Sequence, residues 1–164
     1  MLIIVCGLPG SGKSTLAKAL ATELKAAYIS SDITRKRMFR EPKYTEGEKM
    51  AVYSGMAGMA EDAVRSGRDA VVDATFYLKS ERERYAEIAR NAATRFFIIV
   101  CRLDEDEARK RLGRRYRGGP SDADYEVYLK VRDSFEPVEG PHLEIDTSLP
   151  KPEMLERVMG YLGR

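Results

Sequence analysis

The chain has 164 residues, 43% of them hydrophobic, with 28 basic against 26 acidic side chains and a net charge of +2. That is enough chain to bury one core without disulfide or metal staples. The balance excludes a disordered chain, and it excludes a whole-protein charge footprint for nucleic acid or membrane, so any basic patch must be local.

Taken in order, "LIIVC" (2–6) reads as a fully buried strand and "STLAKALATELKAA" (14–27) as the helix after it. "AYIS" is a short second strand, followed by a basic helix from about Asp32 to Arg40. A long helix is expected from Thr45 to about Ser66, with Thr45 as N-cap and Glu48 three residues on. Its methionine-rich stretch, "MAVYSGMAGMAEDAV", reads as soft core filler. "AVVDAT" (70–75) is a third strand, "SERERYAEIARNA" (80–92) a helix and "RFFIIVCRL" a fourth strand. "DEDEARKRLGRRY" is a helix with acidic residues first and basic ones last, as its dipole favours. "RGGPSDAD" breaks the pattern before a helix ending at Phe135, then "LEIDT" is a fifth strand and "PEMLERVMGYL" the closing helix.

Strands of near-continuous Val and Ile, separated by helices, mean a parallel sheet covered on both faces, and residues 1–164 read as one α/β domain. Cys6 and Cys101 each end an apolar run and read as buried, reduced core residues. With one histidine, His142, and no CxxC, a zinc site is not expected. No run is long enough to span a membrane, and the apolar start lacks the basic leader of a signal peptide. A cytoplasmic protein is expected.

The first strand runs into "GLPGSGKST", which satisfies G-x-x-x-x-G-K-[ST] through Gly7, Gly12, Lys13 and Ser14. The motif sits between a strand and a helix start, where its mechanism needs it. Glycines let the backbone curl so that N–H groups point inward at an anion, and the helix adds its positive end. The loop Gly7–Thr15, with Pro9, Gly10 and Ser11 inside it, is therefore the predicted cradle for the phosphates of ATP or GTP. Lys13 supplies a point charge for the β- and γ-phosphates, and the Ser14 hydroxyl can ligate Mg²⁺.

Chemistry in a parallel sheet gathers at the carboxyl ends of its strands. After the second strand come Asp32 and Arg35, one helical turn apart. They read either as a general base with an anion-binding guanidinium or as a capping Asp and a solvated Arg. Asp73 closes the third strand, either near a metal and its waters or as an ordinary turn residue. Asp146, after the fifth strand, is at most a loop residue beside the nucleotide base. The helix end with Lys110, Arg111, Arg114, Arg115 and Arg117, followed by Gly118, Gly119 and Pro120, has the makings of a closing lid. Dipole-compensating charge on a solvated helix end is the other reading. Arg111 and Arg115 share a face and are the arginines expected to reach the phosphates.

"GLPGSGKST", "SSDITRK", "VVDAT", the arginine-rich "RLGRRYRGGPSDA" and "FEP", in that order from Leu2 to Pro137, resemble the small P-loop kinases of the predicted-kinase group in the polynucleotide kinase and zeta-toxin superfamily. The resemblance implies a three-layer α/β/α P-loop kinase fold with a five-stranded parallel sheet and a small helical lid at about residues 110–121. It implies transfer of the γ-phosphate of ATP, with Mg²⁺, to a hydroxyl. Asp32 would then be the general base, Arg35 the contact to the acceptor's neighbouring phosphate, and Arg111, Arg114 and Arg115 the arginines on the donor phosphates.

The acceptor is open at this stage. Arg35, Lys36, Arg37, Arg40 and Lys43 cluster on and after the basic helix, which suits a polynucleotide backbone and tilts the reading to its 5′-hydroxyl. A solvated face on a kinase of sugars, nucleosides or antibiotics, zeta-toxin-like chemistry included, is the alternative; no RRM, KH or zinc-finger signature accompanies the cluster. A nucleotide-binding regulator or ATPase without an acceptor would need a residue to orient water, and the chain contains no glutamine. Oligomeric state is not legible.

Overall fold

The first strand, β1 (Leu2–Gly7), is buried along its whole length in the computed structural model, which describes residues 1–113 and 124–164. Successive side chains of a strand point to opposite faces, so two cores form. Leu2, Ile4 and Cys6 enter one, while Ile3 and Val5 enter the other. An apolar run without alternation is what a strand covered on both faces requires. Around it lie β2 (Ala27–Ser30), β3 (Ala70–Asp73), β4 (Phe96–Arg102) and β5 (Leu143–Asp146). All pairs are parallel, in the order β2-β3-β1-β4-β5. The expected five-stranded α/β fold is the one observed.

Seven helices are described: α1 (Lys13–Leu24), α2 (Ser31–Met38), α3 (Glu46–Arg65), α4 (Lys79–Asn91), α5 (Glu105–Gly113), α6 (Tyr125–Asp133) and α7 (Lys151–Leu162). α3 and α4 cover the first core through Val52, Met56, Ala60, Tyr85 and Ala89. α1 and α7 cover the second through Leu16, Leu20, Met154, Val158 and Leu162. α5 and α6 meet over a small cluster of Ala108, Leu112 and Tyr128. Of the predicted lid at 110–121, only its first residues, at the end of α5, fall within the described residues.

Helices α1 and α2 end before the expected positions, and α6 stops at Asp133, short of Phe135. α1 stops at Leu24 because Lys25 adopts a left-handed conformation (φ 51°) whose N–H closes on the Ala21 and Thr22 carbonyls. α2 stops at Met38 because Phe39 is extended and packs against the first core. The methionine stretch of α3 is core filler at one position only. Met56 is fully buried, whereas Met50 and Met59 are exposed at 72% and 39%. Small Ala57, Ala60 and Ala63 occupy the rest of the buried face.

Cys6 and Cys101 are free and buried, as expected. Burial pushes the Cys6 thiol up to about 12 and raises that of Cys101 as well.

The "FEP" segment has a mechanical reason. The Arg82 guanidinium, 4% exposed, donates to the carbonyls of Phe76 (2.7 Å), Glu136 (3.1 Å) and Pro137 (2.8 Å). The Glu136 N–H donates to the Tyr77 carbonyl at 2.9 Å. The strap after α6 is thereby tied to the loop after β3. Arg82→Met removes the donor from three carbonyls and is expected to lower stability by about 3 kcal/mol, read as a lower urea midpoint with an unchanged slope.

Candidate active site

Strand register brings the candidate residues to one edge of the sheet. Asp73 pairs with Val5 on one side and Ser30 on the other, Gly7 pairs with Cys101, and Arg102 with Asp146. The phosphate loop after β1, Asp32 at the start of α2 and Asp73 at the end of β3 therefore stand side by side at the ends of adjacent strands.

The loop after β1 is built around glycine. Gly7 has φ 147°, and a Cβ there would lie 2.6 Å from the Cys101 carbonyl oxygen. Gly12, the N-cap of α1, has φ 80°, and a Cβ there would stand 3.1 Å from Thr147 Cβ and 3.3 Å from Arg111 Nη1. Both positions combine a conformation that side chains rarely adopt with a close neighbour. Pro9, Gly10 and Ser11 are buried within the loop, Ser14 is half-buried in the first turn of α1, and Thr15 is exposed. Lys13 Nζ arches back to within 3.5 Å of the Leu8 carbonyl.

β5 contributes a residue that its sequence concealed. Asp146 is exposed and accepts from the Ser148 N–H at 2.8 Å, which holds its carboxyl below the usual range. The next residue, Thr147, is buried; its hydroxyl donates to the Ser11 carbonyl at 2.5 Å, and its N–H donates to the Arg102 carbonyl at 2.9 Å. Thr147 thus ties the phosphate loop to the ends of β4 and β5. Arg111 lies against the same place: it donates to the Thr147 carbonyl (3.4 Å), pairs with Glu107 (3.6 Å) and sits over Gly12. Arg114, Arg115 and Arg117 lie outside the described residues.

Lys13, Asp32, Arg35 and Asp73 line one cavity of about 510 Å³. Asp32 is inside the first turn of α2, whose N-cap is Ser30, so the carboxylate is not the cap of the helix. Arg35 is 8% exposed and is not a solvated arginine. Of the basic series on and after α2, only Arg35 lines the cavity; Lys36, Arg37, Arg40 and Lys43 are exposed. Asp73 is 2% exposed. One oxygen accepts from the Tyr28 hydroxyl at 2.7 Å, while Oδ1 is buried with no hydrogen-bond partner among the described residues. Burial, and then the Asp73 charge, raise the Tyr28 hydroxyl, so it stays a donor.

An unmatched buried carboxylate oxygen beside a phosphate cradle fits a hard cation. Asp73 and the Ser14 hydroxyl are oxygen donors of the kind Mg²⁺ takes when phosphates and waters complete its shell. No cluster of three or more His, Cys, Asp or Glu suited to a metal occurs among the described residues.

The opposite wall was not announced by any motif. Tyr44, Tyr53 and Tyr77 contribute aromatic surface, and Val127, Lys130 and Val131 on α6 close the far side. Lys49 Nζ lies 4.0 Å from the centre of the Tyr77 ring and 5.5 Å from that of Tyr53, bonded to the Tyr77 hydroxyl (2.7 Å) and Glu81 (2.6 Å). Burial presses its ammonium down, but the bonds to Glu81 and Tyr77 win and hold it above the ordinary lysine range. Only the i, i+4 spacing of Lys49 and Tyr53 on the long helix hinted that they share a face.

A family model described as an AAA domain matches residues 2–138. An L-seryl-tRNA(Sec) kinase of Methanococcus maripaludis is 27% identical over 132 residues, which cover 79% of this chain and 52% of that protein, so the chain spans about half of that relative. A probable adenylyl-sulfate kinase of Aeropyrum pernix is 25% identical over 167 residues, covering 99% of this chain and 90% of the other. The crystal structure of a putative kinase from Chloroflexus aurantiacus shares the fold, with a TM-score of 0.77 at 24% identity over 98% of this chain and 97% of that one. Among the described residues no helix is long and apolar enough to cross a membrane.

Proposed function

Because the chain belongs to the AAA-domain family of small P-loop kinases, matched over most of its length, we propose that this ATP-dependent phosphotransferase moves the γ-phosphate of ATP to the 5′-hydroxyl of a polynucleotide. The observation that carries the reading is the shared cavity of Lys13, Asp32, Arg35 and Asp73. It unites a phosphate-loop cation, a carboxylate able to take a hydroxyl proton, and a buried guanidinium able to hold an anion next to that hydroxyl.

ATP phosphates lie along the backbone N–H groups of Gly7–Ser14, at the positive end of α1. Lys13 faces the β- and γ-phosphates, and Arg111 with Arg115 stabilises the charge that spreads over the transferring group. Asp32 receives the proton of the attacking hydroxyl. Arg35 holds the acceptor's adjacent phosphate, keeping the hydroxyl in line with the γ-phosphorus. Ser14 and Asp73 would hold Mg²⁺, which would neutralise phosphate charge. Residues 1–164 act as one kinase unit, and the free buried thiols suit a cytoplasmic setting.

A second reading rests on one observation: the exposed Lys36, Arg37, Arg40 and Lys43 stand outside a cavity of small-molecule size that α6 closes off. That favours an anionic metabolite, and the likeness to an adenylyl-sulfate kinase supports it. Transfer from γ-labelled ATP, offered 5′-hydroxyl DNA and RNA oligonucleotides beside pooled nucleosides, sugars and small anionic hydroxyl compounds, separates the two. Label on oligonucleotide ends is the expected result. Label confined to the small molecules makes the exposed basic residues a solvated face and overturns the polynucleotide acceptor.

A further inference from the structure

We infer that Glu48, which no motif singles out as more than part of a helix cap, is the positioning residue that aims Arg35 at the acceptor's anionic group. The inference rests on the reading of Arg35 as the acceptor-binding cation.

Thr45 caps α3, its hydroxyl accepting from the Glu48 N–H at 3.2 Å. In a closed capping box the Glu48 carboxylate would turn back to the Thr45 N–H. Here it reaches past that position to accept from the Lys43 N–H (2.9 and 3.0 Å) and the Tyr44 N–H (2.7 Å). The same carboxylate pairs with the Arg35 guanidinium at 3.5 Å, both side chains nearly buried at 12% and 10% exposure. One carboxylate therefore ties together α2, the turn after it and the start of α3.

The turn it holds is strained. Tyr44 is a non-glycine residue at φ 55°, a conformation that persists only where its surroundings enforce it. The two amides bound by Glu48, those of Lys43 and of Tyr44 itself, lead into that residue and hold it. The Tyr44 ring is thereby laid 4.9 Å from the Arg35 guanidinium carbon, and both side chains line the cavity. Guanidinium planes stack on aromatic faces. Arg35 is held from one side by the Glu48 charge and from another by the Tyr44 ring. A long, flexible cation is thus presented to substrate in one orientation, which lowers the ordering cost of binding an anion.

The test is steady-state kinetics on Glu48→Gln, Arg35→Ala and the double variant, with two acceptors: a 5′-hydroxyl nucleoside 3′-phosphate and the same nucleoside without phosphate. Glu48→Gln is expected to raise KM for the phosphate-bearing acceptor about 10-fold while KM for ATP stays within about twofold. The phosphate-free acceptor is expected to be indifferent to it. In the Arg35→Ala background Glu48→Gln is expected to add less than about twofold, since the two act through one contact.

Thr45→Ala, which loosens the same helix start without touching Arg35, is expected to lower Tm and leave the acceptor discrimination intact. Glu48→Asp, one methylene too short to span amides and guanidinium, gives the same readout should Glu48→Gln not yield folded protein. Equal losses for both acceptors, or a Glu48 effect that persists without Arg35, would overturn the inference while leaving Arg35 in place. An Arg35→Ala variant with unchanged discrimination would remove the acceptor reading of Arg35 and the role of Glu48 with it.

Discussion

Lys13→Ala is expected to lower phosphate transfer on the order of 10³-fold, measured as label moved from γ-labelled ATP at saturating acceptor. The reason is positional. Lys13 opens α1 at the point where the loop's amides and the helix's positive end converge, and its side chain already curls back toward Leu8 over the loop. Removing it leaves the backbone cradle, which is set by Gly7 and Gly12 and by the Thr147 hydroxyl on Ser11. Nucleotide binding, followed by titration calorimetry, should therefore weaken less than turnover falls. The fold should not notice: the hydrogen bond to Leu8 is long and only partly buried, so Tm should stay within a few degrees. Transfer within about tenfold of the unsubstituted chain would remove Lys13 from the chemistry.

Asp32→Asn is expected to reduce kcat by about 10²- to 10⁴-fold, the range in which a positioned proton acceptor acts, with KM for ATP nearly unchanged. The substitution keeps shape and removes only the charge and the basic oxygen. Asp32 lines the cavity beside the phosphate loop without belonging to the loop, so on the proposed mechanism its loss falls on the transfer step. It also lies in the first turn of α2, where a negative charge favours the helix by about 0.3–1 kcal/mol. A drop in Tm of a few degrees should therefore accompany the loss. Wild-type-like turnover would show that the proton leaves by another route.

What the sequence disclosed and what it hid follow from range. β1 and β3 were legible because double-faced burial writes itself locally as Val and Ile runs. The phosphate loop was legible because its glycines, lysine and hydroxyl answer a backbone geometry within nine residues. Thr45 as a cap was legible for the same reason, since the donor it binds is three residues away. Glu48 was half legible: its place in the helix start was plain, but its carboxylate answers Arg35, thirteen residues back. Thr147 reaches Ser11 across 136 residues, and the acid beside it drew the attention instead. The tyrosine wall comes from three separate segments, each of ordinary composition. The basic helix was legible as a row of five cations, but not which of them enters the cavity: of the five, Arg35 alone lines it.

The two cysteines give this molecule a practical advantage. Maleimides and iodoacetamides consume thiolate, not thiol, and both native sulfurs are sealed between helices and sheet with their ionisation pushed far above neutral pH. A pair of cysteines introduced at exposed Arg37 on α2 and Glu126 on α6 would take fluorophores while the natural sulfurs stayed silent. Energy transfer between the dyes would then follow the width of the cavity's mouth as nucleotide and acceptor enter, in protein that keeps every native residue of its interior.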